Sequence, residues 1–205
     1  SACLVVKAVT RNAAAAVAVA SVLTLGACGE DSAAPETYVR TTLDAAAPVI
    51  ISDAKALALV EEAEAANADA IIFDIDTPGG AVNAAKNIID DIHQTAVPTI
   101  AYVNNEAISA GAMISLACDQ IVMRSGGTIG DSAPVSLQGK EAGEKIVSYV
   151  RGKIEATAER QGRNPHIAKA MVDKKLWLVE LENGHIVSLR SDEYEKKRKA
   201  EEIVE

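Results

Sequence analysis

Between residues 37 and 135 two hydrophobic periods take turns along the chain. 37-TYVRTTL-43 alternates in the manner of a strand. 52-SDAKALALVEEAEAANAD-69 opens with Ser52 as an N-cap and brings Leu57, Val60, Ala63 and Ala66 to one face, so it predicts a helix. 70-AIIFDID-76 is a buried-type strand rich in β-branched residues, ended by 77-TPGG-80. Residues 81–95 return to helical spacing, 97-VPTIAYVN-104 is a second buried strand, and a third helix follows Ser109. Strand 120-QIVM-123 leads into the turn-rich 124-RSGGTIGDSAP-134. Strands and helices in alternation with short links predict an α/β fold of βαβ units, with a mainly parallel sheet covered by helices. Functional groups in such sheets gather at the carboxyl ends of strands, where both TPGG and 104-NNEAISAG-111 fall.

Beyond this series, residues 141–162 predict a long helix with Ile146, Tyr149, Val150 and Ile154 on its inner side. A shorter helix over 164–173 has Asn164 as cap and Pro165 at its first position. 176-LWLVEL-181 and 186-IVSL-189 form a hairpin through Asn183-Gly184, and Ser191 caps a final charged helix.

The first 28 residues read as an export signal rather than as part of the fold. Lys7 and Arg11 precede the small and apolar 12-NAAAAVAVASVLTLGAC-28, which is short for a membrane span. Leu25-Gly26-Ala27-Cys28 resembles a bacterial lipobox, making Cys28 the expected lipidation site; an uncleaved anchor helix is the alternative. Either places the domain at a membrane, on its extracytoplasmic face. Residues 29–36 then read as a flexible linker, 37–175 as the α/β domain, and 176–205 as an insertion or a truncated C-terminal part. A net charge of −9 at pH 7 argues against nucleic acid as a partner. With Cys3 and Cys28 in the signal, Cys118 stands alone in an apolar run and reads as core, so neither a disulfide framework nor a metal cluster is expected.

Within the α/β series the candidate chemistry centres on Ser109. A serine that starts a helix after a strand is either an N-cap or a nucleophile, and its small neighbours Ala107, Ala110 and Gly111 leave room for a substrate backbone. Gly79 and Gly80 allow close backbone approach and can aim N–H groups at developing charge, although such turns use glycine for geometry as often. A serine nucleophile needs a base. His93, His166 and His185 all read as surface residues. Lys145 could serve if burial disfavours its charged form; it could equally form a surface pair with Glu141.

The order of these motifs adds what spacing alone does not. 70-AIIFDIDTPGGAVNAAKNIIDDI-92, 98-PTIAYVNNEAISAGAMISLACDQIVM-123 and 127-GTIGDSAPV-135, followed by Lys145 and 161-QGRN-164, resemble the NfeD-type membrane-associated serine peptidases. These are relatives of Clp protease and signal peptide peptidase A in the ClpP/crotonase superfamily. The resemblance runs from about Thr37 to Asp173. It implies a ClpP-like spiral of βαβ units and a homo-oligomer. It implies endoproteolysis without cofactor or metal, on apolar segments of membrane-associated proteins. Residue by residue, Ser109 matches the nucleophile and Lys145 the general base; Gly79, Gly80 and the Ala110 amide match the oxyanion hole. Where Clp protease carries its histidine this chain has Pro134-Val135, so a Ser-His-Asp triad is not implied. Two other readings share the fold: a crotonase-like acyl-CoA enzyme using Glu106 or Asp131, and an inactive membrane scaffold.

Overall fold

The computed structural model describes residues 3–10, 37–42, 53–135, 142–200 and 202–204. In chain order the elements are β1 (Cys3–Thr10), β2 (Thr37–Thr42), α1 (Asp53–Ala65), β3 (Ala70–Thr77), α2 (Val82–Gln94), β4 (Thr99–Ile108) and α3 (Ala110–Ala117). They continue as β5 (Gln120–Met123), β6 (Thr128–Gly130), α4 (Glu144–Arg160), α5 (Pro165–Ala170), β7 (Trp177–Glu180), β8 (Ile186–Leu189) and α6 (Ser191–Lys199).

The main sheet runs β2-β1-β3-β4-β5, with β6 also paired to β4. β4 is parallel to β3, β5 and β6, while β1 is antiparallel to both β2 and β3. The α/β fold with a mainly parallel sheet is therefore present, extended by an antiparallel pair. That pair corrects the reading of the N-terminus. Cys3–Thr10 was assigned to an export signal, yet it forms β1 and joins the sheet beside β3. Its Leu-Val-Val run has the β-branched content that suits a sheet strand. Residues 11–36, Cys28 among them, lie outside the described residues.

The core lies between this sheet and helices α1 to α4. Ile71, Phe73 and Ile75 alternate inward from β3 and meet Ile88, Ile89 and Ile92 of α2. α3 is buried at every position, as expected of a helix apolar all round. Cys118 is wholly buried there, and burial pushes its thiol up to about 12. In α1 the buried positions are Ala56, Val60 and Ala63, whereas Leu57 is 40% exposed, one position off the expected face.

α4 departs further from expectation. Its buried residues are Val150, Ile154, Thr157 and Ala158; Ile146 and Tyr149 are half exposed. The helix packs against α3 and α5 through its buried residues, with Val147 the first to touch the core. Past α4, Arg163 donates to the carbonyls of Leu116 (3.0 Å) and Asp119 (3.2 Å), and Gln161 Nε2 donates to that of Ala117 (2.6 Å). The QGRN stretch thus supplies donors to the open C-terminal end of α3, where a cation is also favoured by the helix dipole.

The hairpin β7-β8 forms as expected around Gly184 (φ 77°). It is held to α5 by Asn164, which caps that helix through His166 N (2.8 Å) and donates to Ile186 O (2.9 Å). Arg190, not Ser191, is the N-cap of α6: its amide donates to Glu193 Oε2 at 2.9 Å. Ser191 Oγ instead accepts from Trp177 Nε1 at 3.3 Å. No helix among the described residues is long and apolar enough to cross a membrane.

Candidate active site

The end of β4 is where the sheet becomes irregular. Ile75 faces Val103, but Thr77 faces Ala107, so β4 carries extra residues over this interval and its direction is reset. Before the irregularity β4 pairs with β5; after it, Glu106, Ala107 and Ile108 pair with Thr128, Ile129 and Gly130 of β6. This is why the strand runs to Ile108 rather than stopping near Asn104. It delivers Ser109 to the junction of β4 and α3.

Ser109 is not an ordinary helix cap. An N-cap residue normally sits in the β region and accepts a hydrogen bond through its side chain. Ser109 has φ 56° and ψ −113°, and its side chain makes no cap bond. A non-glycine residue here costs on the order of 1–3 kcal/mol and persists only where its surroundings hold it. They do so through three bonds. The Ser109 amide donates to Gly130 O at 2.9 Å, and Ser109 O accepts from Met113 N (3.2 Å) and from Ser132 Oγ (3.2 Å). The hydroxyl itself, on a half-buried side chain, has no hydrogen-bond partner among the described residues.

TPGG faces it. Gly79 has φ 135°, and a Cβ placed on it would lie 2.9 Å from Ser109 Cβ and 3.3 Å from Ser109 Oγ. Only glycine lets the two backbones approach this closely. The turn is shaped by Thr77, a buried residue whose Oγ1 donates to Gly79 O (3.0 Å) and accepts from Gly79 N (3.1 Å). Gly79 N–H, matched to the oxyanion hole by resemblance, is therefore already committed; its contribution is proximity. The amides of Gly80 and Ala110 have no hydrogen-bond partner among the described residues, which leaves both as candidate donors to an oxyanion.

Gly79→Ala tests that proximity. The added methyl meets Ser109 at a backbone angle unfavourable to any L side chain. The expected result is a fall in kcat of about 100-fold, since a misplacement near 1 Å has that effect. Stability should fall by no more than about 3 kcal/mol. Steady-state kinetics with thermal unfolding checks it, and near-wild-type kcat would rule out the close approach.

Lys145 is not brought to Ser109 by any hydrogen bond. It sits in the exposed first turn of α4, without hydrogen bond or ion pair to another described residue. The described residues do not bury Lys145; in the first turn of α4 it is Val147 that packs against the core. Glu141 lies outside them. Around Lys145 in sequence, Val135, Ile146 and Tyr149 are all more than half exposed. Glu106 is in β4 opposite Thr128, and Asp131 follows β6, exposed, with φ 41°.

The histidines stand apart. His185 is exposed in the hairpin, and His166 Nδ1 lies 3.0 Å from Ser188 Oγ. His93 is more enclosed than a surface residue: its Nε2 is buried without a partner, and burial, then Arg160 and Lys153, lower its pKa. Sequence reasoning missed Thr77, Gly130 and Ser132 as parts of the site. The TPGG and GTIG motifs flagged their neighbourhood, but nothing local separates a buried hydroxyl from an exposed one. No group of residues suited to a metal ion occurs among the described residues.

Comparison with known proteins shows the family and the fold. The family described as NfeD1b, N-terminal domain, matches residues 56–205, a stretch that includes the hairpin and α6. The chain is 39% identical to Membrane protein NfeD1b of Bacillus subtilis (strain 168) over 135 residues, 65% of this chain and 31% of that protein. It is 40% identical to Membrane-bound protease PH1510 of Pyrococcus horikoshii over 125 residues, 57% of this chain and 28% of that one. The chain therefore spans under a third of the length of the curated relatives it matches. Among solved structures it is similar to the 1510-N membrane-bound stomatin-specific protease. A lysine-to-alanine variant of that protease with a substrate peptide gives TM-score 0.56 and 34% identity, covering 70% of this chain and 64% of that chain. A serine-to-alanine variant gives the same score and identity, covering 68% of that chain.

Proposed function

Because the chain belongs to the family of NfeD1b N-terminal domains, we propose that it is the catalytic domain of a membrane-associated serine endopeptidase with Ser109 as nucleophile and Lys145 as base. The observation that carries this reading is the uncommitted hydroxyl of Ser109, on a strained turn that Gly79 leaves open. That strained, well-held backbone is what a positioned nucleophile needs and what a cap does not.

In the reaction, neutral Lys145 takes the Ser109 proton while Oγ attacks the scissile carbonyl carbon. The resulting oxyanion accepts from the Gly80 and Ala110 amides. The ammonium of Lys145 then returns its proton to the leaving amine, the C–N bond breaks, and an acyl-enzyme remains. Water, giving its proton to Lys145, attacks the ester and releases the acid, restoring Ser109.

The substrate is an apolar polypeptide segment of a membrane-associated protein. The solved relatives are named for action on stomatin. In this chain, exposed Ile146 and Tyr149 are the neighbours of Lys145 on α4, one and four residues on. An apolar segment laid over them would withdraw water from the amine, which favours its neutral form. Base and substrate site are thus completed together. Membrane association, the extracytoplasmic face and self-association belong to the same proposal; lipidation at Cys28 does not, because cleavage ahead of it would remove β1 from the sheet.

The test is labelling with a fluorophosphonate beside cleavage of an apolar peptide. Wild type should label at Ser109, and Ser109→Ala should not; equal labelling of the two would sink the reading. Lysines titrate ordinarily near about 10.4, and only the neutral amine accepts the proton, so kcat/KM should rise from neutral to alkaline pH. A flat profile over that range counts against a lysine base.

A further inference from the structure

Ser132 is 2% exposed and stands just past β6, in a segment the catalytic scheme does not use. Its hydroxyl donates to Ser109 O at 3.2 Å and lies 3.4 Å from Gly130 O, so one proton is shared between the two carbonyls. Its amide donates to Met171 O at 2.6 Å. Gly130 O in turn accepts from the Ser109 amide at 2.9 Å. Both polar ends of the Ser109 residue are therefore tied to the Gly130–Ser132 segment, and that segment is tied to the end of α5. Gly130 (φ 137°) and Asp131 (φ 41°) each take a backbone conformation that the β6 strand alone would not impose.

We propose that Ser132 is a positioning residue: its hydroxyl and amide form a clamp between the Met171 carbonyl and Ser109, holding the nucleophile's backbone at positive φ. The inference rests on Ser109 being the nucleophile only for its kinetic consequence; the clamp is a property of the backbone. A buried serine that merely satisfied itself would need one acceptor. Here the hydroxyl reaches a residue whose conformation is itself unfavourable, and its own amide fixes where it stands. Without that donor, Ser109 O keeps its bond from Met113 N but loses its contact with the segment that follows β6.

The experiment compares wild type with Ser132→Ala and Ser132→Thr. In the alanine variant kcat for an apolar peptide is expected to fall about tenfold with KM unchanged, the loss of one hydrogen bond that matters to alignment. The threonine variant, which keeps the hydroxyl, should recover most of that loss. Hydrogen exchange at the Ser109 amide, read by NMR, should speed up in the alanine variant and return towards wild type in threonine. If the alanine variant does not fold, Ser132→Cys, a weaker donor of similar shape, takes its place in the same comparison. Wild-type exchange at Ser109 in the variant lacking the hydroxyl overturns the clamp, as does equal loss of kcat in the alanine and threonine variants. If wild type neither cleaves nor labels, the peptidase reading fails, while the exchange measurement still decides the clamp.

Discussion

Ser109→Ala is expected to remove peptide cleavage, lowering kcat by at least about a thousandfold, while leaving the unfolding midpoint within about 2 °C of wild type. The two halves of this result come from the same observation. The hydroxyl has no partner among the described residues, so the fold does not depend on it. The backbone bonds to Gly130, Met113 and Ser132 are untouched by the change. Alanine also keeps the Cβ that sits against Gly79. Lys145→Ala should behave alike, because the lysine is exposed and unpaired among the described residues; kcat should drop by a similar factor with no loss of stability. Removing both should cost little more than removing either, since residues that act as a unit are not additive. The measurement is peptide cleavage by the two single variants and the double variant, each checked by thermal unfolding. Activity surviving in Ser109→Ala would exclude it as nucleophile.

The largest effect on stability is expected at Asp173. This carboxylate is 4% exposed and stands where three parts of the chain meet. Arg151 of α4 pairs with Oδ2, Arg190 at the start of α6 lies 3.5 Å from the same oxygen, and the Lys175 amide donates to Oδ1 at 3.0 Å. The Arg151 side chain is itself mostly buried, so deleting the carboxylate leaves its guanidinium with only the exposed Glu144, 3.6 Å away, as counter-charge. Asp173→Ala should therefore destabilise by about 3–5 kcal/mol, the range for breaking a buried pair from one side. Arg190→Ala, at the exposed end, should cost about 1 kcal/mol or less. Denaturant unfolding of both variants separates the roles. A loss below about 1 kcal/mol in Asp173→Ala would show that water reaches Arg151 readily.

Much of the fold could be read from the chain because each signal was local. The β-branched run at Ile71–Ile75, the Asn164-Pro165 cap and the Asn183-Gly184 turn each carry their geometry in adjacent residues. The failures share one cause, that burial is decided by distant partners. Ile146 and Tyr149 have the right helical spacing for a core face, but in that part of α4 it is Val147 and Val150 that turn to the core. Lys145 shares the exposure of Ile146. β1 looked like the head of a signal because lysine and arginine flank an apolar stretch, and only pairing with β3 shows those valines as sheet. Ser109 lay within reach of sequence, through its small neighbours and the motif order. Ser132 did not, since its value comes from a carbonyl far along the chain.

The donors that close the C-terminal end of α3 come from Gln161 and Arg163, and the carbonyl that fixes Ser132 comes from Met171. During synthesis the chain emerges from its amino end, so Ser109 leaves the ribosome well before any of them. Until α4, QGRN and α5 have followed, the helix behind the serine lacks its closing donors and the clamp has no anchor. A nascent chain therefore carries an unassembled nucleophile through the period when unfolded segments lie close by. The backbone of Ser109 therefore reaches its final set of bonds only after Met171 has been made.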